Sequence, residues 1–223
     1  DQAADINDAD IPKDLIRNVP VPDPGRMTLV PVVTYRTDGS VPHTPSNETL
    51  AKNVDSAGSL PVFAQFSHIN SSFVEVQAYM DSSGMPEHLR PYLELYLENV
   101  FECAIEREGK LVGHEEVVRQ LQAESVYTAN GVGIGGRNFA CGMFPALVWL
   151  SLKFEDSDYG KMLLWLRELL FQTRFEKERL SIAAGKLIND VSRARRDPSA
   201  VARSALKELN FNNGSNNLEV NYQ

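Results

Sequence analysis

Residues Ala146–Leu170 read ALVWLSLKFEDSDYGKMLLWLRELL. Up to Glu155, the apolar residues Val148, Leu150, Leu152 and Phe154 fall at every second position, the period of a strand with one buried face. Asp156 or Ser157 can cap a helix. After them Met162, Leu166, Leu169 and Leu170 recur at helical spacing. A half-buried strand running straight into an amphipathic helix sets the pattern for the rest of the chain.

The same two periods recur on either side. Upstream, Val62–Ile69 reads as a strand, and Ser72–Met80 alternates with Val74, Val76, Ala78 and Met80 on one face against Glu75 and Gln77 on the other. The short Asn70–Ser71 link predicts an antiparallel hairpin between them. A helix carrying Leu89, Leu93, Tyr96, Leu97 and Val100 follows, with Pro86 and Pro91 near its start. Glu106–Lys110 reads as a charged turn. His114–Ala123 reads as a short helix with Val117, Val118 and Leu121 inward, and Ser125–Thr128 as a strand. Downstream, a helix over Phe175–Arg193 turns Leu180, Ala183, Leu187, Ile188 and Val191 inward. Asp197–Pro198 then looks like an N-cap followed by proline at the first helical position, opening a last helix through Leu209.

The order β-β-α-α-β-β-α-α-α predicts an α+β fold, a mainly antiparallel sheet with helices packed on one face, and a coarse doubling of the unit hairpin-then-helices. Residues 1–59 hold Pro12, Pro20, Pro22, Pro24, Pro31, Pro42 and Pro45 and read as a proline-rich linker or arm. Within it, Thr28–Tyr35 could form one strand and Ser46–Val54 a helical turn. Residues 60–223 form the α+β domain, read as incomplete at its C-terminus. The chain begins at Asp1 rather than Met and is read as a processed or excised piece.

Of 223 residues, 43% are hydrophobic and 23% charged, ordinary globular values that exclude a disordered or collagen-like chain. The net charge of −8 makes nucleic acid a poor partner. No window holds the roughly 18 consecutive apolar residues of a membrane span. Cys103 and Cys141 form no C-x-x-C pair. They read as buried free thiols, with a disulfide between them left open.

Motifs for chemistry are sparse. His114-Glu115-Glu116 is followed by Val117 and Val118, so neither H-E-x-x-H nor H-x-x-E-H is met, and His43, His68 and His88 fail the same test. Gly131, Gly133 and Gly136 match G-x-G-x-x-G, but the following residues run toward a strand rather than a helix, which favours a strand bend over a pyrophosphate loop. Arg193, Arg195 and Arg196 suit a helix C-terminus. Asn47, Asn70 and Asn213 begin glycosylation sequons. These residues assign no catalytic, cofactor-binding or metal-binding position.

Several stretches nevertheless look like one family. Ser72-Phe73-Val74-Glu75-Val76 and Met85-Pro86-Glu87-His88-Leu89-Arg90-Pro91-Tyr92-Leu93 are two of them. Gly109-Lys110-Leu111 with His114-Glu115-Glu116-Val117-Val118 is a third, and Trp165-Leu166-Arg167-Glu168-Leu169-Leu170 before Phe175 and Glu178-Arg179-Leu180 a fourth. Together they resemble the pitrilysin/insulinase superfamily of zinc metallopeptidases (inverzincins), and within it the presequence-protease-like branch. The resemblance covers roughly residues 10–220. It implies one of four similar α+β domains arranged as a clamshell around a peptide-degrading chamber, here the start of the second half. H-x-x-E-H is missing, so the resemblance implies a non-catalytic domain, inactive alone, with zinc held elsewhere in the parent protein. The implied partners are the remaining domains and peptide substrates, with no nucleic acid and no membrane, in a cytoplasmic or mitochondrial setting. The alternative is a stand-alone binding or scaffold module.

Overall fold

The computed structural model describes residues 23, 25, 30–56, 60–135 and 142–210. The chain divides into two compact units, Asp1–Asn70 and Ser71–Gln223. The first unit has regular structure of its own. Strand β1 (Val33–Arg36) pairs antiparallel with β2 (Gln65–His68), and helix α1 (Glu48–Ser56) lies between them in sequence. Asn47 ties the loop before α1: its amide donates to the carbonyls of Thr34 and Pro42 and its oxygen accepts from the Thr44 N–H. Satisfying a buried amide in this way lets so polar a residue sit only 3% exposed.

The second unit is α+β. One antiparallel sheet runs β3 (Phe73–Asp81), β7 (Met143–Glu155), β6 (Tyr127–Ile134) in that spatial order. A second, smaller sheet runs β5 (Lys110–Val112), β4 (Ala104–Arg107), β8 (Thr173–Arg174). Helices α2 (Tyr92–Asn99), α3 (His114–Glu124) and α4 (Tyr159–Phe171) supply Leu93, Leu97, Val117, Leu121, Met162, Trp165 and Leu169 to a core against Val148, Leu150, Leu152 and Phe154 of β7. From Val148 onward the alternation in β7 does what its period predicts: Val148, Leu150, Leu152 and Phe154 are all nearly or fully buried. Helix α5 (Lys177–Ala194) packs on α2, and α6 (Pro198–Asn210) follows.

Several details differ from the sequence reading, among them Leu89, read as inward on the helix but 42% exposed in a 3-10 turn before α2. Strands β2 and β3 do not form a hairpin; β2 pairs with β1, and β3 pairs with β7 from Phe73↔Glu155 to Asp81↔Leu147. Proximity in the chain loses to burial here. Val74, Val76 and Met80 need a long apolar partner, which β7 offers and the polar strand QFSH does not. The hairpin-then-helices doubling fails with it.

Glu106–Lys110 is not only a turn but the tip of the β4–β5 hairpin. Glu108 (φ 51°) and Gly109 (φ 75°) both adopt the left-handed conformation that a tight two-residue connection demands. Strand β6 extends well beyond Thr128. Ile188, read as inward, is 67% exposed.

Other local readings hold. Asp197 Oδ1 accepts the Ser199 N–H at 2.9 Å, with Pro198 opening α6. The cap read for α4 does not hold: Asp156 and Ser157 lie in a short 3-10 turn over Asp156–Asp158, and the N-cap position falls to Asp158, which makes no side-chain capping bond.

Candidate functional site

The residues first singled out for chemistry are dispersed. His43 lies edge-on to Tyr35 in the first unit, His68 ends β2, His88 sits in a 3-10 turn and His114 opens α3. Beside His114, Glu116 is already engaged: Arg119 and Gln120 bond its carboxylate and lower its pKa to about 2. Whatever stability this pair lends is present above the ordinary carboxyl range near 4.5 and fades as pH falls toward about 2. Val117, one turn in, is fully buried. Among the described residues no group of three or more His, Cys, Asp or Glu could hold a metal ion. The residues at His114–Val118 do not fit zinc.

The glycine run is a strand device. Gly131 and Gly133 lie in β6, Gly135 just after it, and Gly136 lies outside the described residues, as do Cys141 and the Asn213 sequon. Strand β6 pairs antiparallel with β7, which begins at Met143, so the described glycines of the run belong to a strand pair. Cys103 is a free, fully buried thiol whose pKa burial pushes up, which makes it a packing residue. The Asn47 sequon has its acceptor amide buried and hydrogen-bonded.

Two open clefts, of about 470 Å³ and about 390 Å³, flank α1 in the first unit and share Asp55. The Tyr35 hydroxyl donates to Asp55 at 2.7 Å, and that bond raises the phenol's pKa. The phenol is thus a fixed donor rather than a nucleophile.

The most organised surface is the side of the β3–β7–β6 sheet turned away from the core. Strand alternation brings Phe73, Glu75, Gln77 and Tyr79 of β3 beside Trp149, Ser151 and Lys153 of β7 and Tyr127 of β6. A hydrogen-bond chain orders it: Tyr79 Oη donates to Gln77, Gln77 donates to Glu75, and Ser151 Oγ donates to Glu75 at 2.8 Å. Lys153 Nζ lies 5.3 Å from the Phe73 ring centroid. Trp149 lies across Gly131, where a Cβ would come within 3.0 Å of the indole, and its Nε1 donates to the Gly133 carbonyl. Phe73, Tyr79 and Tyr127 remain 46%, 48% and 42% exposed. This is a pre-ordered face of aromatic rings and satisfied polar groups, suited to contact with another polypeptide. Its members were visible in the sequence only as the polar phase of strands.

Sequence reasoning also missed an internal brace. Arg107 forms a two-point ion pair with Glu168 (2.7 and 2.8 Å), bonds Gln120, and lies 4.7 Å from the Trp165 ring centroid. The bond to Glu168 raises the guanidinium pKa. The Trp165 N–H in turn bonds Glu124. Strand β4, α3 and α4 are thereby locked together, through partners 61 residues apart that no local spacing reveals. Glu168→Gln should cost about 2 kcal/mol in urea unfolding, below the full penalty of breaking a buried pair because Arg107 is a third exposed. A cost below about 0.5 kcal/mol would mean that the brace is an incidental surface pair.

No family model matches the chain. It is similar to an uncharacterized protein of Schizosaccharomyces pombe, 25% identical over 222 residues, covering 96% of this chain and 21% of that protein. An uncharacterized protein of Saccharomyces cerevisiae is 22% identical over 212 residues, covering 91% and 20%. One of Caenorhabditis elegans is 24% identical over 156 residues, covering 70% and 15%. The chain thus spans about a fifth, or less, of the length of these relatives.

Proposed function

We infer that this chain is a non-catalytic domain of a larger zinc metallopeptidase of the pitrilysin/insulinase type, and that it forms part of the wall of a peptide-degrading chamber. The observation that carries this reading is the two-sided sheet. One face is sealed by helices, while the other presents ordered aromatic and polar groups able to contact extended peptides through side chains and through edge strand β3. The length of the relatives fits a domain within a long polypeptide. The resemblance of Ser72–Val76, Met85–Leu93 and Trp165–Leu170 to that family supplies the activity.

The residues here do not fit the zinc, so in this reading catalysis belongs to another domain. The role of this chain is to shape the chamber and exclude folded substrates. No helix among the described residues is long and apolar enough to cross a membrane.

The test uses the natural polypeptide, its mass first read by mass spectrometry, then assayed with unstructured peptides with and without a chelator. The expected result is a mass several times 24.8 kDa and chelator-sensitive hydrolysis, with Tyr79→Ala raising KM more than it lowers kcat. This chain alone should bind no stoichiometric zinc and cleave nothing. A natural mass near 24.8 kDa, or tight zinc and hydrolysis by this chain alone, overturns the reading. The first outcome would favour a stand-alone binding module.

A further inference from the structure

Helix α5 stands outside the core that it borders. Of its 18 residues only Ala183 is buried, and none belongs to the apolar cluster that joins the β3–β7–β6 sheet to α2, α3 and α4. Leu180, Ala184, Leu187 and Val191 are half-buried. With so little apolar surface covered, the hydrophobic gain of docking this helix is small. Charge and one ring contact tie it to α2 instead. Lys186 pairs with Glu98 of α2, Arg179 pairs with Glu102 just after α2 at 2.7 Å, and the Tyr96 and Phe175 rings meet at 5.8 Å. Each ion pair has one partner open to water, Lys186 at 58% and Glu102 at 51% of the side chain. Pairs of this kind hold weakly and lose strength in salt.

The seam also has a weak point. Arg179 Nε is buried without a hydrogen-bond partner, a cost that water relieves when the helix lifts. Under the same turn lies Cys103, fully buried. Its thiol donates to Asn99 Oδ1 and is faced by Arg179 and by Glu176, the N-cap residue of α5. The preceding strand is fastened separately: β8 pairs with β4, and Arg174 with Glu106.

We propose that α5 is a releasable strap, which leaves α2 by a turn of the chain at Phe175–Glu176 while β8, the sheet and its helices stay folded, and whose release uncovers the Cys103 thiol. Openings short of global unfolding belong to segments with few buried apolar contacts, and α5 is such a segment. The proposal stands whether or not the peptidase reading does.

The test is alkylation of this chain with iodoacetamide under native conditions, with Cys103 resolved from Cys141 by peptide mass mapping. Global unfolding is followed in parallel by tryptophan fluorescence, since both tryptophans, Trp149 and Trp165, lie outside the strap. Cys103 should react at least about tenfold faster than global unfolding allows. The rate should rise several-fold in about 1 M salt, where charges are screened within about 3 Å. Lys186→Glu should raise it about fivefold with an unchanged fluorescence midpoint in urea, and adding Glu98→Lys should bring it back. Amide hydrogen exchange should show α5 opening ahead of β7. Labelling no faster than global unfolding, no response to salt or to charge reversal, or a midpoint that falls in step with the labelling rate would overturn the proposal, because α5 would then be part of the cooperative core.

Discussion

Truncating Phe154 to alanine should destabilise the unit 71–223 by about 4 kcal/mol, within the usual range of 3–5 for a buried aromatic. The ring is fully buried on the inner face of β7, opposite Val74 of β3 and within the cluster that includes Leu150, Leu152 and Met162. Its removal deletes the apolar contact of sheet and helices at once and leaves a cavity that the surrounding helices cannot fill. Urea unfolding followed by far-UV circular dichroism would show a lower midpoint with an unchanged slope. The contrasting variant is Phe73→Ala on the outer face, 46% exposed, with an expected cost below about 1 kcal/mol. Similar costs for the two would mean that the helix-covered side is not the core side.

Gly133→Ala should cost about 3 kcal/mol through backbone geometry alone. Gly133 has φ +67°, and a Cβ there would fall 2.7–2.8 Å from backbone atoms of Gly142. The Gly142 N–H meanwhile donates to the Val132 carbonyl at 3.0 Å, which holds the two strands together at the register shift between Val132 and Ile134. Neither backbone can move away without breaking the ladder. Gly135→Ala separates the two causes. Its φ is +74° with nothing within 4 Å of the added Cβ, so it should carry only the left-handed cost of about 1–2 kcal/mol. Equal losses at the two positions would show that close approach contributes nothing at Gly133. Because the Trp149 N–H bonds the Gly133 carbonyl, tryptophan fluorescence should shift in Gly133→Ala and not in Gly135→Ala.

The legible parts of this protein were those whose signal is local. Val148, Leu150, Leu152 and Phe154 specify a strand and its buried face because the backbone period of a strand is two. Asp197 and Pro198 specify a helix start because the capping bond spans two residues. The β4–β5 hairpin was also local, in Glu108–Gly109, but its strands are too short to show a period. Ile188 was misplaced because helical spacing says which residues share a stripe and not how wide a stripe the neighbouring helix covers. The outer sheet face was half legible: the alternation places Glu75 and Gln77 on it, but nothing in their spacing shows that Ser151 and Tyr79 complete the hydrogen-bond chain.

By itself, then, the order of residues determined the α+β class, the inward face of each long strand and most helix boundaries, since each depends on neighbours within about one turn or one pleat. It also determined the absence of an H-x-x-E-H run, which is a fact of composition along the chain. Only the tertiary structure decided that β3 pairs with β7 rather than β2, that Arg107 is clamped by Glu168, and that Trp149 crosses Gly131. Each of these joins residues far apart in sequence. Its free energy comes from burying one surface on another, and such a gain is settled only when all competing partners are present together.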